Sequence, residues 1–326
     1  WLGAKASAPI DYPETCLYYP DRPERITPDP ECLPPPQRPV GTVGLLMMRS
    51  YVLAGDCAHY DAVIRALEAR GLAVLPAFAG GLDARPAIEA YFARTEPAAP
   101  PKIDALLSLT GFSLVGGPAY NDNAAAIDVL KSLDTPYIAA HPLEFQTLGQ
   151  WAASAQGLGP IETTMLIALP ELDGATCPTV FAGRHGAQGC TGCAHKCTGV
   201  AGDKSMAPCP ERIDRLADKV NRQVTNHQRR TAERRVAIVL FGFPPNAGAT
   251  GTAAHLSVFR SLYNTLHALH RDGYDLTPPD SVDALRSAIL GGNASTYGQE
   301  ANVAAHVDAD TMVRRTPHLS EIEAAW

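Results

Sequence analysis

Val43-Gly-Leu-Leu-Met-Met48, running into Arg49-Ser-Tyr-Val-Leu-Ala-Gly-Asp56, is the stretch on which the fold turns. A short apolar run that stops at a charged residue has the length and character of a strand buried on both faces. Just beyond it, Ala62, Val63, Ala66 and Leu67 recur at helical spacing within Tyr60 to Ala69, and Gly71 stops that helix. Working outward, Leu72 to Phe78 reads as a second strand, Pro86 to Phe92 as a second helix and Ile103 to Leu109 as a third strand. A helix over Ala124 to Leu133, a strand over Pro136 to Ala140 and a short strand Thr179-Val-Phe181 continue the alternation. Strand and helix in regular succession predict an α/β fold: Rossmann-like, doubly wound units with a parallel sheet and helices on both faces. In such a sheet ligands sit beyond the carboxyl ends of the strands.

Those ends are rich in glycine: Gly55-Asp56, Ala79-Gly-Gly-Leu-Asp83 and Thr110-Gly-Phe-Ser-Leu-Val-Gly-Gly-Pro118. Glycine there either lets backbone approach a ligand closely or serves ordinary tight turns and a helix cap. His59 and His141 follow predicted strands and are expected to face this cleft; with Phe112 they are the candidate ligand-binding residues at the strand ends. Glu144, Glu171 and Asp173 fall near loop starts, where they read as proton acceptors or as solvated loop acids.

The flanks differ in character. Residues 1–40 contain ten prolines and read as an extended lead-in. Residues 41–183 form the first α/β domain, 184–210 a cysteine-rich metal-binding loop, and 211–326 a helix plus the start of a second, truncated α/β domain. Within that last part a charged helix is expected over Arg212 to Arg235, a strand over Val236 to Phe241, a helix over Thr252 to His270 and another over Asp280 to Leu290. Phe241-Gly-Phe-Pro-Pro-Asn-Ala-Gly-Ala-Thr-Gly-Thr-Ala-Ala254 is a glycine-rich turn able to present backbone donors to an anion, or a plain connection. His267 and His270 stand three apart and read as a surface pair rather than a metal site.

Composition excludes several classes. Apolar residues make up 46% and charged residues 19% of the 326, which rules out a disordered chain. No apolar run reaches transmembrane length, and a formal charge of -7 gives no general reason to bind nucleic acid or an anionic membrane. A start at Trp1, without a leader pattern, reads as a piece of a longer cytoplasmic protein. No Gly-x-x-x-x-Gly-Lys-Ser/Thr and no Gly-x-Gly-x-x-Gly is present, so any ATP chemistry lies elsewhere and a nicotinamide enzyme is disfavoured.

The sharpest local signal is Cys190-Thr-Gly-Cys193-Ala-His-Lys-Cys197, followed after eleven intervening residues by Cys209-Pro210. Four thiols clustered this way point to a soft metal. The spacing resembles that of a [4Fe-4S] cluster more than paired zinc knuckles, with Zn2+ left open because His185 and His195 lie close by as alternative ligands. Arg184, His185, His195, Lys196 and Lys204 would offset the thiolate charge.

Taken together, Gly55-Asp-Cys-Ala-His-Tyr60, Phe78-Ala-Gly-Gly-Leu-Asp83, Ser108 to Pro118, Ala168-Leu-Pro-Glu-Leu-Asp-Gly174 and Phe243 to Ala254 resemble the large, porphyrin-binding H subunit of magnesium chelatase, related to the cobalt-inserting chelatase large subunit. The resemblance covers most of residues 43–275, as an internal piece. It implies insertion of Mg2+ into protoporphyrin IX during bacteriochlorophyll synthesis in a phototrophic bacterium, with ATP hydrolysed by two AAA+ partner subunits. The cysteine segment is similar to the bacteriochlorophyll branch, where an oxygen-sensitive cluster is expected. His255 departs from an aromatic that the family carries there, and the region expected to hold the catalytic residues lies outside the sequence. The alternatives are a cobaltochelatase large subunit acting on a corrinoid ring and a non-enzymatic, redox-sensing tetrapyrrole carrier.

Overall fold

A computed structural model describes residues 12–34, 39–96, 99, 101–117, 120–240, 256–291 and 305–325. The chain divides into two compact units, 1–228 and 229–326.

Among the described residues the first unit has ten strands: β1 Cys16–Tyr18, β2 Ile26–Thr27, β3 Gly41–Met48, β4 Leu72–Ala79, β5 Ala105–Ser108, β6 Gly116–Gly117, β7 Tyr120–Asn121, β8 Tyr137–Leu143, β9 Thr176–Gly183 and β10 Ala207–Pro208. Eight of them make one sheet in the order β10-β9-β8-β5-β3-β4-β1-β2, while β6 and β7 form a separate hairpin. The five inner strands, β9 to β4, are mutually parallel. In chain order β3 is flanked by β4 on one side and by β5, β8 and β9 on the other. That is the doubly wound order in which the winding reverses between the first strand and the third, here between β3 and β5.

The buried run at Val43 explains the centre of this arrangement. Val43, Leu45, Leu46 and Met47 are all buried, as a strand covered on both sides requires. Two glycines on β3 show the two layers directly. A Cβ added at Gly41 would collide with Val224 of the helix Pro210–Gln228, whereas one at Gly44 would press on Phe92. Residues an odd number apart on a strand point to opposite faces, so helices cover both. The helix Ala58–Glu68 lies beside Pro210–Gln228 and buries His59, Tyr60, Val63, Ile64 and Leu67.

Three expectations change in this unit. The lead-in is not only extended chain: β1 pairs antiparallel with β4 and closes one open edge of the sheet, as β10 does beside β9. Its prolines flank the short strands, leaving Cys16–Tyr18 free to pair. The long helix ends at Gln228, not Arg235, and stays with the first unit, because Ile213, Leu216, Ala217, Val220 and Val224 form one apolar stripe against the sheet. The segments at Ile88–Phe92 and Thr163–Ala168 are wide π-turns within short helices, a detail that periodicity does not encode.

In the second unit the expected strand from Val236 is not formed: residues 234–240 have no regular structure, and Val236, Ile238 and Val239 are exposed. A strand needs a neighbour for its backbone donors and acceptors, and no strand occurs among the described residues of this unit. Phe241 to His255, including the glycine-rich turn, lies outside the described residues. The helix Val258–Arg271 packs on the helix Val282–Gly291. His267 Nε2 and His270 Nδ1 bond the carbonyls of Pro279 and Leu276 at 3.1 and 3.0 Å, so this pair fastens the connection between the helices.

Candidate functional site

The winding reversal leaves a narrow cleft of about 30 Å3 beyond the ends of β3, β4 and β5. Met47 and Met48 supply its floor, Leu82 and Asp83 one wall, Phe112 and Leu114 the other. The two glycine-rich loops that make these walls are stitched together across the crevice. The Ala84 amide donates to the Leu114 carbonyl and the Gly116 amide to the Leu82 carbonyl, both at 2.8 Å, and Asp83 pairs with Val115 as a single antiparallel bridge. Arg85 holds Asp83 at 2.6 Å and keeps its carboxyl below the ordinary range.

Of the residues expected here, Phe112 is half-buried and lines the cleft, but the two histidines do not. His59 is 0% and His141 1% exposed, and neither imidazole nitrogen of either has a partner. His59 is packed among Tyr51, Tyr60 and Phe181, with ring centroids 5.0, 3.9 and 5.9 Å away. Burial pushes both imidazoles down to about 4, with Arg212 adding to the effect at His141. They are neutral core residues beneath the strand ends. Both histidines stand at the right level of the sheet, but the helix Ala58–Glu68 and the strand β8 turn them inward.

The acids also separate. Glu171 is exposed. Glu144 accepts from the Tyr51 hydroxyl and pairs with Arg184 at 3.4 Å. Asp173, far from being a solvated loop acid, is 2% exposed.

The cysteine loop leaves β9 at Arg184 and returns through β10. Arg184 is committed to Glu144 and to the Lys204 carbonyl, and Asp56 accepts from the Met206 amide at 3.0 Å, so both arms are tied to the body. The Cys190 amide donates to the Cys197 carbonyl at 2.8 Å, and the Cys209 amide to the Phe181 carbonyl at 3.0 Å. Cys190, Cys193 and Cys209 line one cavity of about 310 Å3 together with Trp151 and Arg212. Cys197 packs on the same apolar cluster as Cys190 and Cys209. All four are free thiols. Burial raises the Cys209 thiol, and the other three cysteines push it the same way; Cys197 is raised by burial and by Cys190 and Cys193. The four therefore form one electrostatic neighbourhood, in which a bound cation would favour the thiolates.

Among the described residues no group of three or more His, Cys, Asp or Glu side chains is placed to hold a metal ion. His185 and His195 line cavities other than the one the thiols share. The cation at the cysteine cavity is Arg212, which sits 5.6 Å over the Trp151 ring; its place at the head of a charged helix gave no sign of this.

The pattern of the CobN/Magnesium Chelatase family matches residues 2–326, and the chain belongs to that family. It is 62% identical over 329 residues to the H subunit of magnesium chelatase from Cereibacter sphaeroides, a match that takes in 100% of this chain and 27% of that protein. Against the chloroplastic magnesium-chelatase ChlH subunit of Oryza sativa subsp. indica it is 39% identical, over 89% of this chain and 20% of the relative. The chain thus spans about a quarter of the length of such relatives. The solved catalytic subunit of cobaltochelatase from Mycobacterium tuberculosis superposes with a TM-score of 0.62 at 22% identity, covering 90% of this chain and 23% of that one, and shares the fold. No helix among the described residues is long and apolar enough to cross a membrane.

Proposed function

We propose that the chain is part of the porphyrin-binding large subunit of an ATP-dependent magnesium chelatase, a cytoplasmic ligase that inserts Mg2+ into protoporphyrin IX for bacteriochlorophyll synthesis. The observation that carries this reading is the 62% identity to the H subunit of a magnesium chelatase along the whole chain. Likeness to the cobalt enzyme at 22% speaks only to the fold and lends the corrinoid alternative no support.

Insertion requires stripping water from a hard cation that gives it up reluctantly, and it releases two pyrrole protons for each Mg2+ bound. In this reading two AAA+ partner subunits hydrolyse ATP and supply the driving force, consistent with the lack of a Gly-x-x-x-x-Gly-Lys-Ser/Thr motif in these residues. The role assigned here is to hold the flat, apolar ring edge at the strand ends, with Phe112 offering a stacking face at the mouth of the cleft. His59 and His141 contribute by filling the core below it.

In this reading Cys190, Cys193, Cys197 and Cys209 would hold one iron-sulfur cluster, with Zn2+ the alternative; what supports it is their spacing in sequence, three of them lining one cavity and the fourth packing on the same apolar cluster. Such a group supplies a redox-sensing or structural centre, outside the insertion chemistry.

The test is formation of Mg-protoporphyrin by the complete subunit with its ATPase partners, Mg2+ and ATP. Product is expected from the complete subunit and none from residues 1–326 alone. Cobalt uptake into a corrinoid without Mg-protoporphyrin formation would overturn the reading.

A further inference from the structure

Asp173 closes the short helix Leu169–Asp173, on a segment that gives the cleft no lining residue. Its carboxylate is nevertheless directed at the cleft wall from behind. Oδ2 accepts the Ser113 hydroxyl at 2.5 Å and the Leu114 amide at 3.0 Å. Oδ1 is buried without a partner, as is the Tyr137 hydroxyl, and the two groups lie near enough to influence each other electrostatically. Ser113 Oγ in turn meets the Val115 amide at 3.4 Å, which folds 113–115 into a tight turn.

The chain of contacts continues to the opposite wall. Leu114 accepts from Ala84, Gly116 donates to Leu82, and Val115 bridges Asp83. One buried carboxylate thus holds the loop after β5, and that loop holds the one after β4. A buried acid costs free energy unless its oxygens are bonded, and burial does raise this carboxyl above its ordinary range in spite of the two donors. A serine or an asparagine would have capped the turn without that cost, so the charge is informative: hydrogen bonds to an ionised acceptor are the stronger kind.

We propose that Asp173 is a positioning residue that sets the shape of the strand-end cleft, fixing the spacing between the Leu82 and Phe112 walls from outside the cleft. For the ligand the inference rests on the tetrapyrrole reading above; for the shape it does not. Two measurements on the complete subunit keep these apart. Amide hydrogen exchange at Leu114, Gly116 and Ala84 reports the walls without any ligand, and fluorescence titration with protoporphyrin IX reports the affinity.

Asp173→Ala is expected to speed exchange at the three amides by about tenfold or more and to weaken porphyrin binding by about tenfold, the ratio set by losing a hydrogen bond to a charged group. Asp173→Asn keeps an acceptor for Ser113 and Leu114 but loses the charge, so both readouts are expected to fall between those of the parent and of Asp173→Ala. Ser113→Ala removes one of the two bonds to Asp173 with little change in volume and is expected to shift both readouts in the same direction by less, which keeps the test available if Asp173→Ala does not fold. The double change adds little to Asp173→Ala, as members of one network do. Unchanged exchange at these amides in Asp173→Ala and Ser113→Ala overturns the proposal. So does faster exchange with unaltered affinity. If the parent subunit does not bind porphyrin at all, the tetrapyrrole reading falls and exchange alone decides the positioning role.

Discussion

Cys193→Ser is expected to take an anaerobically prepared, brown protein from about four irons per chain to less than about one, with loss of its broad visible absorbance. Cys193 lines the shared cavity and is partly exposed, so a serine there leaves the packing of the loop in place. Its hydroxyl is a far poorer soft-metal ligand than a thiolate. The melting temperature in the absence of iron should therefore move little while the metal content collapses. Cys209→Ser combines both effects: its thiol is buried on Val180 and Leu148, and the polar replacement disturbs that cluster as well. An unchanged iron content in Cys193→Ser excludes that residue as a ligand. A colourless anaerobic preparation with stoichiometric zinc overturns the cluster altogether.

The second large effect is loss of stability in acid. His59 and His141 titrate near 4 in the folded chain against 6.5 for an unperturbed imidazole. Above pH 6.5 both are neutral folded or unfolded, and they cost nothing. Below it the unfolded chain takes up protons that the folded core refuses, so unfolding becomes easier as pH falls from about 6.5 to about 4. Each histidine contributes about 1.4 kcal/mol per pH unit across that window, and the pair about 2.7. His59→Phe keeps a ring among Tyr51, Tyr60 and Phe181 and should halve their joint share of the slope. Denaturant titrations across the acid window and up to neutrality check this; an identical acid slope in His59→Phe contradicts it.

The parallel sheet was legible because its strands announce themselves locally. Val43 to Met48, Leu72 to Phe78 and Pro136 to Ala140 each lie where strands β3, β4 and β8 formed, and Gly71 marks the turn into β4. The cleft was legible for the same reason: glycines follow strand ends, and Phe112 stands among them. What escaped depends on partners far away in sequence. Cys16–Tyr18 becomes a strand only because β4 offers a free edge, and the equally apolar run at Val236 does not, for want of one among the described residues. Asp173 and Glu171 look alike along the chain; only the fold shows that one is buried against Ser113 and the other faces water. Arg212 belongs to a charged helix whose first turn alone reaches the cysteine cavity. The family resemblance was carried by spaced segments of the first unit and by a turn at 243–254 that lies outside the described residues.

The proposed function needs a tetrapyrrole at the carboxyl ends of β3, β4 and β5, and Phe112→Asp in the complete subunit tests that placement most directly. The side chain is half-buried on the cleft wall and clear of the sheet core, so a charge there should repel an apolar ring without unfolding the chain. Fluorescence titration with protoporphyrin IX is predicted to show affinity reduced by about tenfold or more at an unchanged melting temperature. Parent-like affinity in Phe112→Asp would contradict the placement of the ring in this cleft.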